Sequence, residues 1–296
     1  MNLPEVQPVL YKRFLKILDH QALFHAYLFD GLFGSFDFAI WLSQSQFCLE
    51  PQGCAPCGQC RNCQLIATQS FADVRVIEPI GQAIKVEQIR EMLSEMNQTG
   101  IEGQKRVFII KSVETLSQGA ANALLKFIEE PKMDTYLFFI TNQIKQVLPT
   151  IRSRTQVFHF EKNEDYLCEK LKQQDILPTR AELLARITDD LTLASHLNES
   201  SWFKLGAPLV KQWVDDLSNG KPEVFADVAA QLVAVFDDKD KQKIALKIVA
   251  FYLENKMMVT KNGLSLGSFF KIEEMFASNV SFQNCLEYLV LQSLWR

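Results

Sequence analysis

No run of the 296 residues stays apolar for the ~20 positions that a membrane-spanning helix needs, so no such helix is expected. The opening residues, Met1 to Val6, have neither the basic stretch nor the apolar core of a secretory leader, which predicts a cytoplasmic protein. Positive charge is not in excess either. The formal net charge is −4, which argues against strong autonomous binding to nucleic acid and leaves room only for a local basic patch. Internal repeats and low-complexity tracts are missing too. What remains is ordinary for a globular protein, 48% hydrophobic and 22% charged, and long enough for two or three domains.

Two further absences concern chemistry. His25–Gly31 reads as a strand running into a glycine turn, and Gly31, Gly34 and Asp37 then fall where a phosphate-binding loop would open its helix. A working loop reads G-x-x-x-x-G-K-[ST]: its backbone N–H groups wrap the phosphates and its lysine neutralises them. Here Asp37 or its neighbour stands in the lysine's place, and a carboxylate repels a triphosphate. The loop is read as degenerate, with no ATP bound. The second absence follows the buried strand Val107–Ile110. A nucleotide hydrolase carries an aspartate there, often followed by a glutamate, to hold magnesium and polarise water. This chain has Lys111 and Ser112, and Glu114 lies too far along to substitute.

Short apolar strands are nonetheless present and alternate with helices. After Val107–Ile110 comes a helix from Ser117 with Ala120, Leu124 and Ile128 at helical spacing, stopped by Pro131. The strand Tyr136–Ile140 follows, tipped by Thr141 and Asn142, and then Gln156–Phe160 directly after Ile151–Thr155. This order predicts an α/β fold: a parallel sheet with helices on both faces. Polar residues at the carboxyl ends of such strands face the ligand crevice, so Thr141, Asn142 and the Arg152-Ser153-Arg154 cluster are expected there. Residues 4–20 are read as one amphipathic helix. Beyond Phe160 the chain reads as helical to its end, first in short helices and then in longer ones with stripes such as Leu209, Trp213, Leu217 and Val224, Val228, Leu232.

Five of the seven cysteines fall between positions 48 and 63. In a reducing compartment such clustering reads as a metal site before it reads as disulfides. Four thiolates at tight turns suit a tetrahedral zinc ion with Zn–S of about 2.3 Å, and a closed thiolate shell is structural rather than catalytic. Two sets compete: Cys54, Cys57, Cys60 and Cys63, or Cys48 in place of Cys54. Cys168 and Cys285 stand alone and read as small core residues.

His25–Phe29, the cysteine cluster, Asp73–Val74 with Ile77–Pro79, Ile84–Arg90, Ala120–Pro131 and Ile151–Thr155 together resemble bacterial clamp-loader subunits, relatives of the AAA+ ATPases, and among them the delta-prime branch. The resemblance covers residues 22–160, about half the chain. It implies a RecA-like AAA+ module over 1–160 with an inserted zinc-binding segment at 48–63, an all-α lid over 161–200 and an all-α collar for oligomerisation over 201–296. It also implies Cys48, Cys57, Cys60 and Cys63 as zinc ligands, with Cys54 a bystander. The family's Ser-Arg-Cys motif appears as Ser153-Arg154-Thr155, which implies that Arg154, beside Ser153, acts as an arginine finger on a neighbouring subunit's ATP. Partners implied are gamma/tau and delta subunits, with the sliding clamp and primed DNA reached through the complex. The lid segment Arg186–Leu193 has no sensor arginine beyond Arg186. With the altered loop and strand end, this points to the member that does not hydrolyse ATP. The rival readings are an active ATPase of the gamma/tau type and a zinc-dependent nucleic-acid-binding module working alone.

Overall fold

The computed structural model describes residues 2–96, 105–130, 134–257 and 266–294. The chain divides into two compact units, Met1–Asn163 and Glu164–Arg296.

In chain order the first unit contains α1 (Leu3–Val6), α2 (Pro8–Asp19), β1 (Ala26–Asp30), α3 (Ser35–Phe47), α4 (Arg61–Ala67), β2 (Val74–Ile77), α5 (Val86–Met96), β3 (Arg106–Ile110), α6 (Gln118–Glu129), β4 (Thr135–Thr141), α7 (Pro149–Arg152) and β5 (Gln156–His159). The strands form one parallel sheet in the order β5-β1-β4-β3-β2. Successive strand residues point to opposite faces. Leu28, Phe108, Leu137 and Phe139 therefore pack with Ile89 and Met92 of α5 and Leu124 and Ile128 of α6. Tyr27, Phe29, Val107, Ile109 and Phe138 pack instead with Phe14 of α2, Phe38 and Leu42 of α3 and Ile66 of α4. Both faces are thus covered, which is why these strands read as continuous apolar runs. The α/β architecture expected from the sequence, a parallel sheet with helices on both faces, is the one observed.

One expected element is divided. The helix read over 4–20 breaks at Gln7 (φ −133°, ψ 63°) because Pro8 follows it, and a residue before proline is driven out of the helical region. The break has a use. The Gln7 amide is buried, and its Nε2 donates to the carbonyls of Phe33 at 2.9 Å and Glu161 at 2.7 Å. Pro131, expected to stop α6, lies outside the described residues; α6 ends at Glu129.

Among the described residues of the second unit every regular element is a helix: α8 (Glu164–Lys172), α9 (Pro178–Ile187), α10 (Leu191–Glu199), α11 (Ser201–Ser218), α12 (Val224–Asp227), α13 (Val233–Val235), α14 (Lys239–Met257), α15 (Leu266–Ala277) and α16 (Phe282–Leu294). Trp213, Leu217, Val224, Val228 and Leu232 are buried, as their spacing predicts, and the Trp213 indole donates to the Val224 carbonyl at 2.9 Å. A π-helical turn, Val228–Leu232, interrupts what reads in sequence as one plain helix.

Candidate functional site

The carboxyl edge of the sheet collects most of the polar residues that the sequence singles out. β1 ends at Asp30 and enters the turn at Gly31, whose φ is +106° and whose N–H donates to the Thr141 carbonyl at 2.8 Å. A side chain at Gly31 would place its Cβ 2.3 Å from the Phe160 carbonyl oxygen, so only glycine fits. Gly34 adopts φ +77° and opens α3, whose first turn carries Asp37, half-buried. The residues of the phosphate-loop position therefore do form a strand–turn–helix, with a carboxylate in the helix's first turn.

At the end of β3, Lys111 Nζ lies 2.6 Å from Glu78 Oε1 and 4.7 Å from the centre of the Phe36 ring. The one lysine at this strand end is thus tied to a carboxylate and an aromatic face. Glu114, distant from the strand end in sequence, folds back: its Oε2 accepts from Thr141 Oγ1 at 2.6 Å, and Thr141 Oγ1 accepts from the Gln143 N–H at 3.0 Å. Asn142 is exposed beside this pair. Sequence reasoning missed Asp30 and His159, whose Oδ2 and Nδ1 are 2.9 Å apart. The signal available was an acid ending one strand and a histidine ending another, but their pairing requires knowing that β1 and β5 are neighbours.

The Arg152–Arg154 cluster does not join that edge. In a parallel sheet the chain must return from the carboxyl end of β4 to the amino end of β5, and α7 makes that return. Residues directly before Gln156 are therefore on the amino edge, opposite the Gly31 turn. The contacts agree. Arg154 Nε donates to Glu129 Oε1 at 2.6 Å, and Glu129 ends α6, whose Ile128 carbonyl meets His25 Nε2, just before β1, at 2.9 Å. Arg154 Nη2 lies 2.6 Å from the same Glu129 oxygen, and Nη1 donates to the Thr150 carbonyl at 3.2 Å and to Ser153 Oγ at 3.3 Å. Ser153 and Arg154 are both exposed, and Arg152 is half-buried.

The cysteine segment runs from the end of α3 into the first turn of α4. The Sγ atoms of Cys48, Cys57, Cys60 and Cys63 all lie within 4.8 Å of one another, with Cys48 and Cys57 3.5 Å apart. A tetrahedron of 2.3 Å Zn–S bonds has S···S edges of about 3.8 Å, so the four fit one metal ion. Backbone N–H groups support the sulfurs: that of Cys57 points to Cys48 Sγ at 3.3 Å, and those of Gln59 and Cys60 to Cys57 Sγ at 3.5 and 3.3 Å. Such backbone donors help to orient sulfur ligands around a metal. The Cys63 backbone N–H, foremost among several hydrogen bonds, holds the Cys60 thiol down to about 6, whereas burial pushes Cys48 and Cys63 up. Cys54 is turned away, its Sγ 3.4 Å from the Leu15 carbonyl.

In the helical unit, Arg186 is held between Glu164 Oε1 and Glu254 Oε2, each at 2.9 Å. Cys285 is buried, while Cys168 is half-buried.

A family model described as "DNA polymerase III, delta subunit" matches residues 6–164. The chain is also 35% identical over 248 residues to the DNA polymerase III subunit delta' of Bacillus subtilis (strain 168), covering 83% of this chain and 75% of that one. The chain belongs to the DNA polymerase III delta-prime family. To the subunit delta' of Escherichia coli (strain K12) it is 29% identical over 167 residues, 55% of this chain and 50% of that one. The chain thus spans about half the length of that relative. Among solved structures, a DNA polymerase III gamma subunit-related protein of Thermotoga maritima is similar at a TM-score of 0.44 and 17% identity, over 96% of this chain and 98% of that one.

Proposed function

We propose that this chain is a non-hydrolysing subunit of the bacterial replicative clamp loader, supplying Arg154 in trans to the ATP site of a neighbouring gamma/tau subunit. One observation carries the reading: Arg154 is an exposed arginine on the amino edge of the sheet, opposite the chain's own Gly31 turn. An arginine so placed serves a nucleotide held by another subunit or none at all. Beside a γ-phosphate, its guanidinium stabilises the negative charge that spreads in the transition state, an effect worth ~10³ to 10⁵ in rate.

The chain's own phosphate site is read as inactive. Asp37 opposes a triphosphate, and Lys111, paired with Glu78, stands where a magnesium-binding carboxylate is needed. Arg186 is paired with Glu164 and Glu254. Zinc in the four-cysteine site would be structural, fixing the 48–63 segment. Residues 161–200 would serve as a lid and 201–296 as the collar through which gamma/tau and delta subunits assemble. The assembly, in the cytoplasm, would then use ATP to place the sliding clamp on primed DNA.

The alternative is an active ATPase subunit of the gamma/tau type. Titration of the purified chain with a fluorescent ATP analogue and magnesium separates the two. The proposal expects no saturable binding at high-micromolar nucleotide. Saturable binding that is lost when the Gly31–Gly34 loop is altered would favour the active motor.

A further inference from the structure

We infer that Glu129 is a positioning residue for Arg154: it pre-orients the guanidinium for the neighbour's γ-phosphate. The inference rests on the reading of Arg154 given above and extends it to a residue that the motif does not include.

A guanidinium has five N–H groups in a planar fork. Here Nε and Nη2 share Glu129 Oε1, both at 2.6 Å, and Nη1 is taken up by the Thr150 carbonyl and Ser153 Oγ. Among the described residues, that leaves one Nη2 N–H uncommitted. The arginine is thus fixed on two sides, by a carboxylate at the end of α6 and by α7 with the Ser153 that follows it, while its remaining donor is kept for an incoming anion.

The pair is poorly placed to serve the fold. Arg154 is 37% exposed and Glu129 48%, and ion pairs that open to solvent contribute little to stability. Glu129 also sits in the last turn of α6, where the helix dipole disfavours a negative charge. Neither helix formation nor burial accounts for a carboxylate at that place. Orientation of Arg154 does. A free arginine on a surface samples many rotamers, and that freedom must be surrendered when it engages a phosphate. Glu129 takes part of that loss before the neighbour arrives. The more highly charged triphosphate can then compete for the same fork without a search among rotamers.

The test is a double-mutant cycle in the complex reconstituted with gamma/tau and delta subunits, reading kcat and KM for ATP and, separately, assembly. Glu129→Ala should lower kcat by ~10-fold to ~10²-fold, the upper figure being the loss expected when a group is misplaced by an ångström, with KM and assembly unchanged. Glu129→Gln, which keeps an oxygen to accept from Nε, should recover part of the loss. The double variant Glu129→Ala/Arg154→Ala should behave as Arg154→Ala alone. If Arg154→Ala lowers kcat while Glu129→Ala leaves it unchanged or raises it, the positioning role is wrong and the finger stands. An additive double variant would also overturn it, because Glu129 would then act by another route. No effect of Arg154→Ala would remove the finger reading itself, and this inference with it.

Discussion

At the scale of single residues, Gly31 holds a backbone conformation and a space that only glycine fits. Its φ of +106° and the 2.3 Å approach of a virtual Cβ to the Phe160 carbonyl mean that Gly31→Ala must move backbone. The substitution should cost about 1–3 kcal/mol from the dihedral alone, read as a lowered urea midpoint of the isolated chain. The glycine was legible in the sequence as part of a degenerate phosphate loop. What it does here is different: it lets β1 turn beneath Phe160 while its N–H bonds Thr141. The sequence also reads Lys111 and Asp37 as departures from the residues expected of an ATPase. It could not show that Lys111 finds Glu78 and the Phe36 ring, because those partners lie 33 and 75 positions away along the chain. Nor is it legible in the sequence that a left-handed Ser112 (φ +52°) redirects the chain so that Glu114 reaches Thr141.

At the scale of elements, hydrophobic patterning located the strands and the long helices, since burial on both sheet faces leaves a plain signal. It failed where backbone chemistry intervenes: at Gln7–Pro8, where proline breaks the first helix, and at the π-helical turn Val228–Leu232. It also placed Thr141 and the arginine cluster in one crevice. The parallel connection through α7 puts them on opposite edges, and only strand order reveals that. In the cysteine segment, spacing left Cys48 and Cys54 as competing ligands, whereas the fold groups Cys48 with Cys57, Cys60 and Cys63 and turns Cys54 toward Leu15. Metal analysis of the purified chain should therefore find that Cys54→Ser keeps its zinc and Cys48→Ser loses it. Stripping the metal with a chelator should raise hydrogen exchange over 48–63 and leave the sheet strands protected, because the sheet's core does not pass through the site. Retention by Cys48→Ser with loss by Cys54→Ser would reverse the assignment.

At the scale of the whole molecule, two features belong together. The chain keeps a complete parallel sheet, covered on both faces, while the places where such a sheet usually handles nucleotide are filled by internal pairs: Lys111 with Glu78, Glu114 with Thr141, Asp30 with His159. The exposed cation of its signature motif stands on the other edge. The decisive measurement is single-turnover ATP hydrolysis by the reconstituted complex carrying Arg154→Ala in this subunit, with assembly checked by gel filtration. The account predicts that hydrolysis at the adjacent site falls by ~10³-fold or more while the complex stays intact. Unchanged hydrolysis at that site in an intact complex would contradict it.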